Sequence, residues 1–366
     1  MMMKRLYPTV LLTALLMIGG SCTEKEPLPG ERGEIAVTFT TGELQTRAVS
    51  GDPTDGGGIH VDASGAPDLA IAIANSDGDF VAWYPATGFW TAAGDMATGY
   101  VSRCETEHAA STPASAATIF FTGLQRGSYT VHSIANTTGL SDDLLSGVKG
   151  CSTVSELEAL QLPAPSFSAS MPLTARGTLS VNANGNGLIN LQLLRPVARV
   201  RYSFKNMTGD NDLEIHDCKV TIGAMDPAAG YLMPRETDYV AGGDGDLVIE
   251  SADPLVFGAD PDDSDTYRKA SLPVAQVFPS IAPARTVGNR YLCTVTFQVT
   301  KQGETNTYTF TDLPVHDARS ADILCLKRNQ LLQIETRITK TEEEHDYSFN
   351  FEVQSWEEKE NYLTFD

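Results

Sequence analysis

The chain has 366 residues, 42% of them hydrophobic and 8% aromatic, so it can bury real cores and disorder is not expected. Its formal net charge is −21, with no basic run to offset it, which disfavours nonspecific binding to nucleic acid. The acidic exterior mainly keeps the protein soluble.

The N-terminus reads as an export signal over residues 1–21. Lys4 and Arg5 form a positive segment, Val10 to Ile18 a short apolar one, and Gly19-Gly20-Ser21 precede Cys22. The wider run from Leu6 to Ile18 is interrupted by Pro8 and is too short to span a bilayer, which takes about 20 residues. A Cys directly after small residues is where a bacterial lipoprotein is cleaved and acylated, so Cys22 is the expected lipidation site. The alternative is ordinary secretion with a structural Cys22. Residues 22–33, with Pro27, Pro29 and Gly30, read as a tether.

Beyond the tether, period-two alternation dominates. Glu34 to Thr40 is a predicted strand, with Ile35, Val37 and Phe39 on one face. Gly51 to Gly58 follows as an acidic loop. Leu69 to Ala74 and Asp79 to Tyr84 flank Asn75 to Gly78, a predicted hairpin. A second hairpin is expected from Thr118–Phe121 and Tyr129–Ala135, and a third from Thr178–Asn182 and Leu188–Leu194 across an Asn184 to Gly187 turn. Val154 to Leu162 is a candidate short helix with Ser155 as its cap.

Val197 to Phe204 alternates again, and polar turn residues from Asn206 to Asp212 suggest a domain boundary. Further strands are expected at Leu213–Ile222, Leu247–Glu250, Ala275–Phe278, Tyr291–Thr300, Thr305–Thr311, Leu331–Ile338 and Tyr347–Val353. Strands at such spacing predict an all-β chain with two antiparallel β-sandwich domains in tandem, over residues 34–206 and 207–366. No strict sequence repeat is evident.

Five cysteines follow Cys22: Cys104, Cys151, Cys218, Cys293 and Cys325. Export permits disulfides, with Cys104–Cys151 and two of the other three as plausible pairs and buried free thiols as the alternative. No motif specifies a metal, a cofactor or an enzyme active site. Asp260, Asp262, Asp263 and Asp265 could bind calcium but lack the glycine and terminal glutamate of an EF-hand loop, and a solvated loop is the simpler reading. Trp83 and Trp90 could form a sugar platform, or simply pack in a core.

Several segments, taken in order, resemble the fimbrillin family of Bacteroidales type V pili. They are the signal at Cys22, Gly127-Ser-Tyr129-Thr-Val131 with Ala135-Asn136, Met171-Pro-Leu173-Thr-Ala175, and Leu194-Arg-Pro-Val-Ala-Arg-Val200. Gly230-Tyr-Leu-Met-Pro234, Leu326-Lys-Arg-Asn329 and the tail around Trp356 continue the series. The resemblance implies two transthyretin-like β-sandwich domains and a lipoprotein precursor at the outer membrane. It implies that a trypsin-like protease cuts after an Arg, releasing the first strand and opening a groove for another subunit's C-terminal strand. Arg47-Ala48 lies where that cut should fall, just behind the strand carrying Ile35, Val37 and Phe39.

The C-terminal segment offers a complementary insert, because Tyr347, Phe349, Phe351 and Val353 share one face. It could equally be the last strand of its own domain, and Tyr362 to Phe365 is a rival insert. The expected partners are other pilus subunits, an unidentified host or bacterial receptor, and the outer membrane through the precursor's lipid. The expected function is a fimbrial subunit of shaft or tip; the alternative is a surface glycan-binding lipoprotein.

Overall fold

The computed structural model describes residues 33–41, 58–62, 65–86, 88–91, 99–107, 114–163, 167, 170–227, 229–235, 245–259, 267–281, 291–301, 303–316, 325–340 and 345–355. Within them the chain is all-β, with helix only in short connections.

Two four-stranded sheets enclose the first core. One has the order β4 (Tyr100–Glu107), β5 (Ala116–Thr122), β1 (Glu34–Thr41), β9 (Gly187–Leu193). The other has the order β3 (Phe80–Tyr84), β2 (Leu69–Ala74), β6 (Gly127–Ala135), β8 (Leu173–Val181). Ile35, Val37, Phe39, Ile119, Phe121 and Leu191 meet Ile71, Ile73, Val131, Leu179 and Val181 between them.

The second core lies between a larger sheet and a four-stranded one. The larger runs β14 (Gly258–Ala259), β15 (Arg268–Ser271), β10 (Ala198–Asn206), β21 (Gln330–Lys340), β22 (His345–Ser355), with β16 (Ala275–Val277) also paired to β10. Its partner runs β13 (Gly245–Ser251), β11 (Glu214–Asp226), β18 (Leu292–Lys301), β19 (Glu304–Pro314). Two small ribbons complete the set: β7 (Gln161–Leu162) with β12 (Gly230–Tyr231), and β17 (Ser280–Ile281) with β20 (Cys325–Leu326).

The halves share a topology that the sequence conceals. β10 stands between antiparallel β15 and β16 on one side and parallel β21 on the other, as β1 stands between antiparallel β5 and parallel β9. The order β13-β11-β18-β19 matches β3-β2-β6-β8 strand for strand. Among the described strands of these sheets, β22 has no counterpart in the first half.

Several expectations are corrected. The sheets are mixed rather than antiparallel, because β1 pairs parallel with β9 and β10 parallel with β21. The second and third expected hairpins do not form: β5 and β6 enter opposite sheets, as do β8 and β9. Their inward faces point into the same core from two sides, so alternation is preserved while the pairing is not. Only the hairpin of β2 and β3 forms, its turn held by Asn75 Oδ1, which accepts from the Asp77 and Asp79 amides at 2.9 and 3.0 Å. β10 hydrogen-bonds with strands of the second half and packs in their core, although it precedes the polar turn at Asn206.

The expected helix is present as Val154–Ala159, here α2, but Thr153 rather than Ser155 caps it in a reciprocal box with Glu156. Helix α1 (Asp142–Lys149), capped by Ser141, was not foreseen. Both helices cover the outer face of β2, whose alternating Leu-Ala-Ile-Ala-Ile-Ala pattern turns isoleucines inward and small alanines toward a third apolar cluster. Of the two readings of the cysteines, the disulfide one is not met: no disulfide joins the five described cysteines. Cys151 packs in that third cluster with its thiol 3.3 Å from the Gly147 carbonyl, away from Cys104 on β4. Burial pushes the Cys151 thiol up to about 11 and the Cys218 and Cys293 thiols up to about 12, which keeps them protonated and unreactive.

Candidate assembly site

β1 is an interior strand. Ile35 lies opposite Phe121 of β5 and Gly187 of β9, Val37 opposite Ile119 and Ile189, and Phe39 opposite Ala117 and Leu191. All three side chains are fully buried. Burial of each contributes about 1.5 to 3 kcal/mol, so the three anchor the strand firmly. Removing β1 would leave a slot with an unpaired strand on each flank, since β5 and β9 do not pair with one another.

Both ends of β1 are latched. Gly33 N donates to Asn186 Oδ1 at 2.9 Å, and Thr41 N donates to the Ser115 carbonyl at 3.0 Å. A bulge at Ser102 lets β4 reach across β5 to the first residue of the strand. Arg103 lies over the Phe120 ring at 3.8 Å and meets the Glu34 carboxylate at 3.2 Å, while Ser102 Oγ donates to the same carboxylate at 3.3 Å. Ala36, opposite Phe120, is nearly buried on the outer face.

The candidate donor is an edge strand. Among the described residues β22 pairs with β21 alone, antiparallel, placing Tyr347 opposite Ile338, Phe349 opposite Thr336, Phe351 opposite Ile334 and Val353 opposite Leu332. Phe351 is buried, and Tyr347 and Phe349 pack against the second core, with ring centroids 4.7 Å from Tyr308 and 5.0 Å from Phe310. In this structure the segment is therefore the last strand of its own sheet. Cys22, Arg47, Ala48, the Asp260 to Asp265 loop and Tyr362 to Phe365 lie outside the described residues.

Three of the segments behind the fimbrillin resemblance meet at the junction of the two halves. The Arg328 guanidinium donates to the carbonyls of Tyr231, Leu232 and Met233 at 2.6, 2.9 and 2.7 Å. Arg195 donates to Asn329 Oδ1 at 3.0 Å, and Asn329 N donates to the Val197 carbonyl at 2.9 Å. A Cβ on Gly230 would stand 2.2 Å from the Phe278 ring, so only glycine fits there. Sequence reasoning missed this role, although arginines embedded in apolar strings hint at buried, fully bonded guanidinium groups. Two further segments meet at Asn136, whose amide donates to the carbonyls of Gly58 and Met171 at 3.0 and 3.1 Å.

Trp90 is buried in the third cluster, its indole donating to the Tyr84 carbonyl at 3.0 Å, and Trp83 packs partly against the same cluster. Trp90 is thus a core residue rather than a sugar platform. Among the described residues no group of three or more His, Cys, Asp or Glu is placed to hold a metal.

No family model matches the sequence, and no curated protein does. Solved structures do. A candidate cell adhesion protein from Bacteroides eggerthii superposes with a TM-score of 0.47 at 11% identity, covering 90% of this chain and 97% of that one. The C-terminally truncated tip fimbrial protein Mfa3 from Porphyromonas gingivalis gives 0.43 at 11% identity, covering 87% and 98%. The fimbrilin FimA from the same species gives 0.42 at 10% identity, covering 90% and 99%. These neighbours are fimbrial and cell-adhesion proteins of the Bacteroidales.

Proposed function

We propose that this chain is the precursor of a fimbrial subunit, with two tandem transthyretin-like domains, that polymerises at the cell surface by strand exchange. Cys22 carries the lipid that holds it at the outer membrane, and a cut between Arg47 and Ala48 frees β1. A neighbour's C-terminal strand, with Tyr347, Phe349, Phe351 and Val353 inward, then fills the slot. The observation that carries this reading is the interior position of β1: a strand with three fully buried side chains stands just ahead of the candidate cleavage site. A removable interior strand leaves two open edges, and an added strand regains both ladders at once. The edge position of β22 supports its role as donor, because leaving its own sheet breaks one ladder only.

The test is N-terminal sequencing of the protein from the cell surface, alongside an Arg47→Ala variant. Ala48 as first residue, with ladder-forming multimers that Arg47→Ala abolishes, is the expected result. Surface display of uncut chain, with protein trimmed at Arg47 remaining monomeric, would overturn the proposal.

A further inference from the structure

The latch at the start of β1 is built mostly from parts that stay behind when β1 leaves. Ser102 and Arg103 belong to β4 and Phe120 to β5; only Glu34 departs. The slot therefore keeps the Arg103 guanidinium, which Glu105 also meets at 3.5 Å, beside its first outward position, Phe120 opposite its next and nearly buried outward position, and an apolar floor. It selects for a carboxylate, then an apolar residue, then a small one, then alternating apolar residues. β1 satisfies this as Glu34-Ile-Ala-Val-Thr-Phe39.

Resting on the strand-exchange reading above, the geometry points to one polarity and one register for the incoming strand of a second copy of this chain: Asp346 takes the place of Glu34 on Arg103. Tyr347, Phe349, Phe351 and Val353 then follow Ile35, Val37, Phe39 and Thr41 on the inner face. Ser348 takes the covered position of Ala36. The same pattern occurs at Asp68-Leu-Ala-Ile-Ala-Ile73, but that segment is β2, an interior strand buried on both faces. β22 is an edge strand and Asp346 is exposed.

Other placements fail on chemistry. Sliding the donor by two residues so that Glu344 meets Arg103 would drive His345 into the apolar floor and Asp346 under Phe120, burying charge without a partner. β1 runs parallel to β9 and antiparallel to β5, so the backbone alone accepts either direction. In reverse, Glu352 can meet Arg103, but Asn350 then replaces Ala36 under the ring. Among placements that seat Tyr347, Phe349 and Phe351 on the apolar floor, the forward register alone combines a carboxylate on Arg103 with a small residue at the Ala36 position. The aromatic groups of Tyr347 and Phe349 are larger than Ile35 and Val37, and the slot can widen because β5 and β9 share no ladder.

The test follows multimerisation of protein trimmed at Arg47, using full-length chains carrying Asp346→Asn, Glu352→Gln or Arg103→Glu. Asp346→Asn should slow assembly about twofold to fivefold, and Glu352→Gln should leave it unchanged. On an Arg103→Glu acceptor the order should invert, with the Asp346→Asn donor faster than wild type because repulsion is relieved. An unaltered rate for Asp346→Asn, or a loss confined to Glu352→Gln, overturns the register while strand exchange stands. Wild-type protein that stays monomeric, or that multimerises equally well without residues 345–366, overturns strand exchange and the register with it.

Discussion

At the residue scale, His132 is the sharpest case of a polar group held in the core. It lies on β6, fully buried, with Nε2 3.1 Å from Glu158 of α2, and Arg176 of β8 lies 3.4 Å from the same carboxylate. Burial lowers the imidazole's affinity for a proton below its ordinary value of 6.5, and the Glu158 carboxylate only partly opposes that. Because the folded value is depressed, the contribution to stability is complete above the unfolded value and is lost as pH falls through the folded one. Urea denaturation midpoints should therefore fall below about pH 6.5, the ordinary histidine range, and His132→Gln should flatten that slope. His345, lowered by burial and by Lys301, adds a slope of the same sign that His132→Gln leaves in place. A wild-type profile as flat as the variant's would refute the assignment. The sequence gives no sign that His132 is buried, because Tyr-Thr-Val-His-Ser-Ile alternates as well with the imidazole facing water. Only the short α2 laid over that face decides it.

At the scale of elements, β1 shows what alternation can and cannot tell. Its inward triad was legible, since Ile35, Val37 and Phe39 share a face in any sheet. Phe39→Ala should cost the precursor about 3 to 5 kcal/mol, read from the shift in its denaturation midpoint; a shift under about 1 kcal/mol, typical of surface sites, would mean the strand is not held as described. Strand partners were less legible. The turns after β5 and after β8 carry the glycines and asparagines of tight reversals, yet each hands the chain to the opposite sheet. Turn chemistry fixes where a strand ends, whereas pairing is decided by distant segments, here Glu34–Thr41 against residues beyond position 186. The Leu-Ala-Ile-Ala-Ile-Ala strand did foretell a second covered face, because alanine on the outer face leaves room for an overlying layer.

At the scale of the whole molecule, the third apolar cluster binds the halves. Leu144, Val148 and Leu157 of the first half's helices share it with Val197, Leu232, Met233 and Phe278. Arg328 closes it by bonding three consecutive carbonyls. Arg328→Ala leaves those carbonyls without their donor at about 1 to 3 kcal/mol for each group that stays buried. Calorimetry should show one transition for the wild-type chain and two for the variant; a single transition in both would mean the halves are coupled elsewhere. The all-β class and most long strands could be read from the sequence. The joint could not, since its parts lie in segments far apart in the chain.

The parallel pairing of β1 with β9 also governs the order in which the chain can fold. Glu34–Thr41 is synthesised early, but Ile35 finds its partner only when Gly187 has emerged, and Thr41 only with Leu193. Until then one side of β1 has no mate, and contacts so distant in sequence form slowly. A chain that stops before β9 would leave β1 with one open edge, so the first sheet can close only after residues 187–193 are in place.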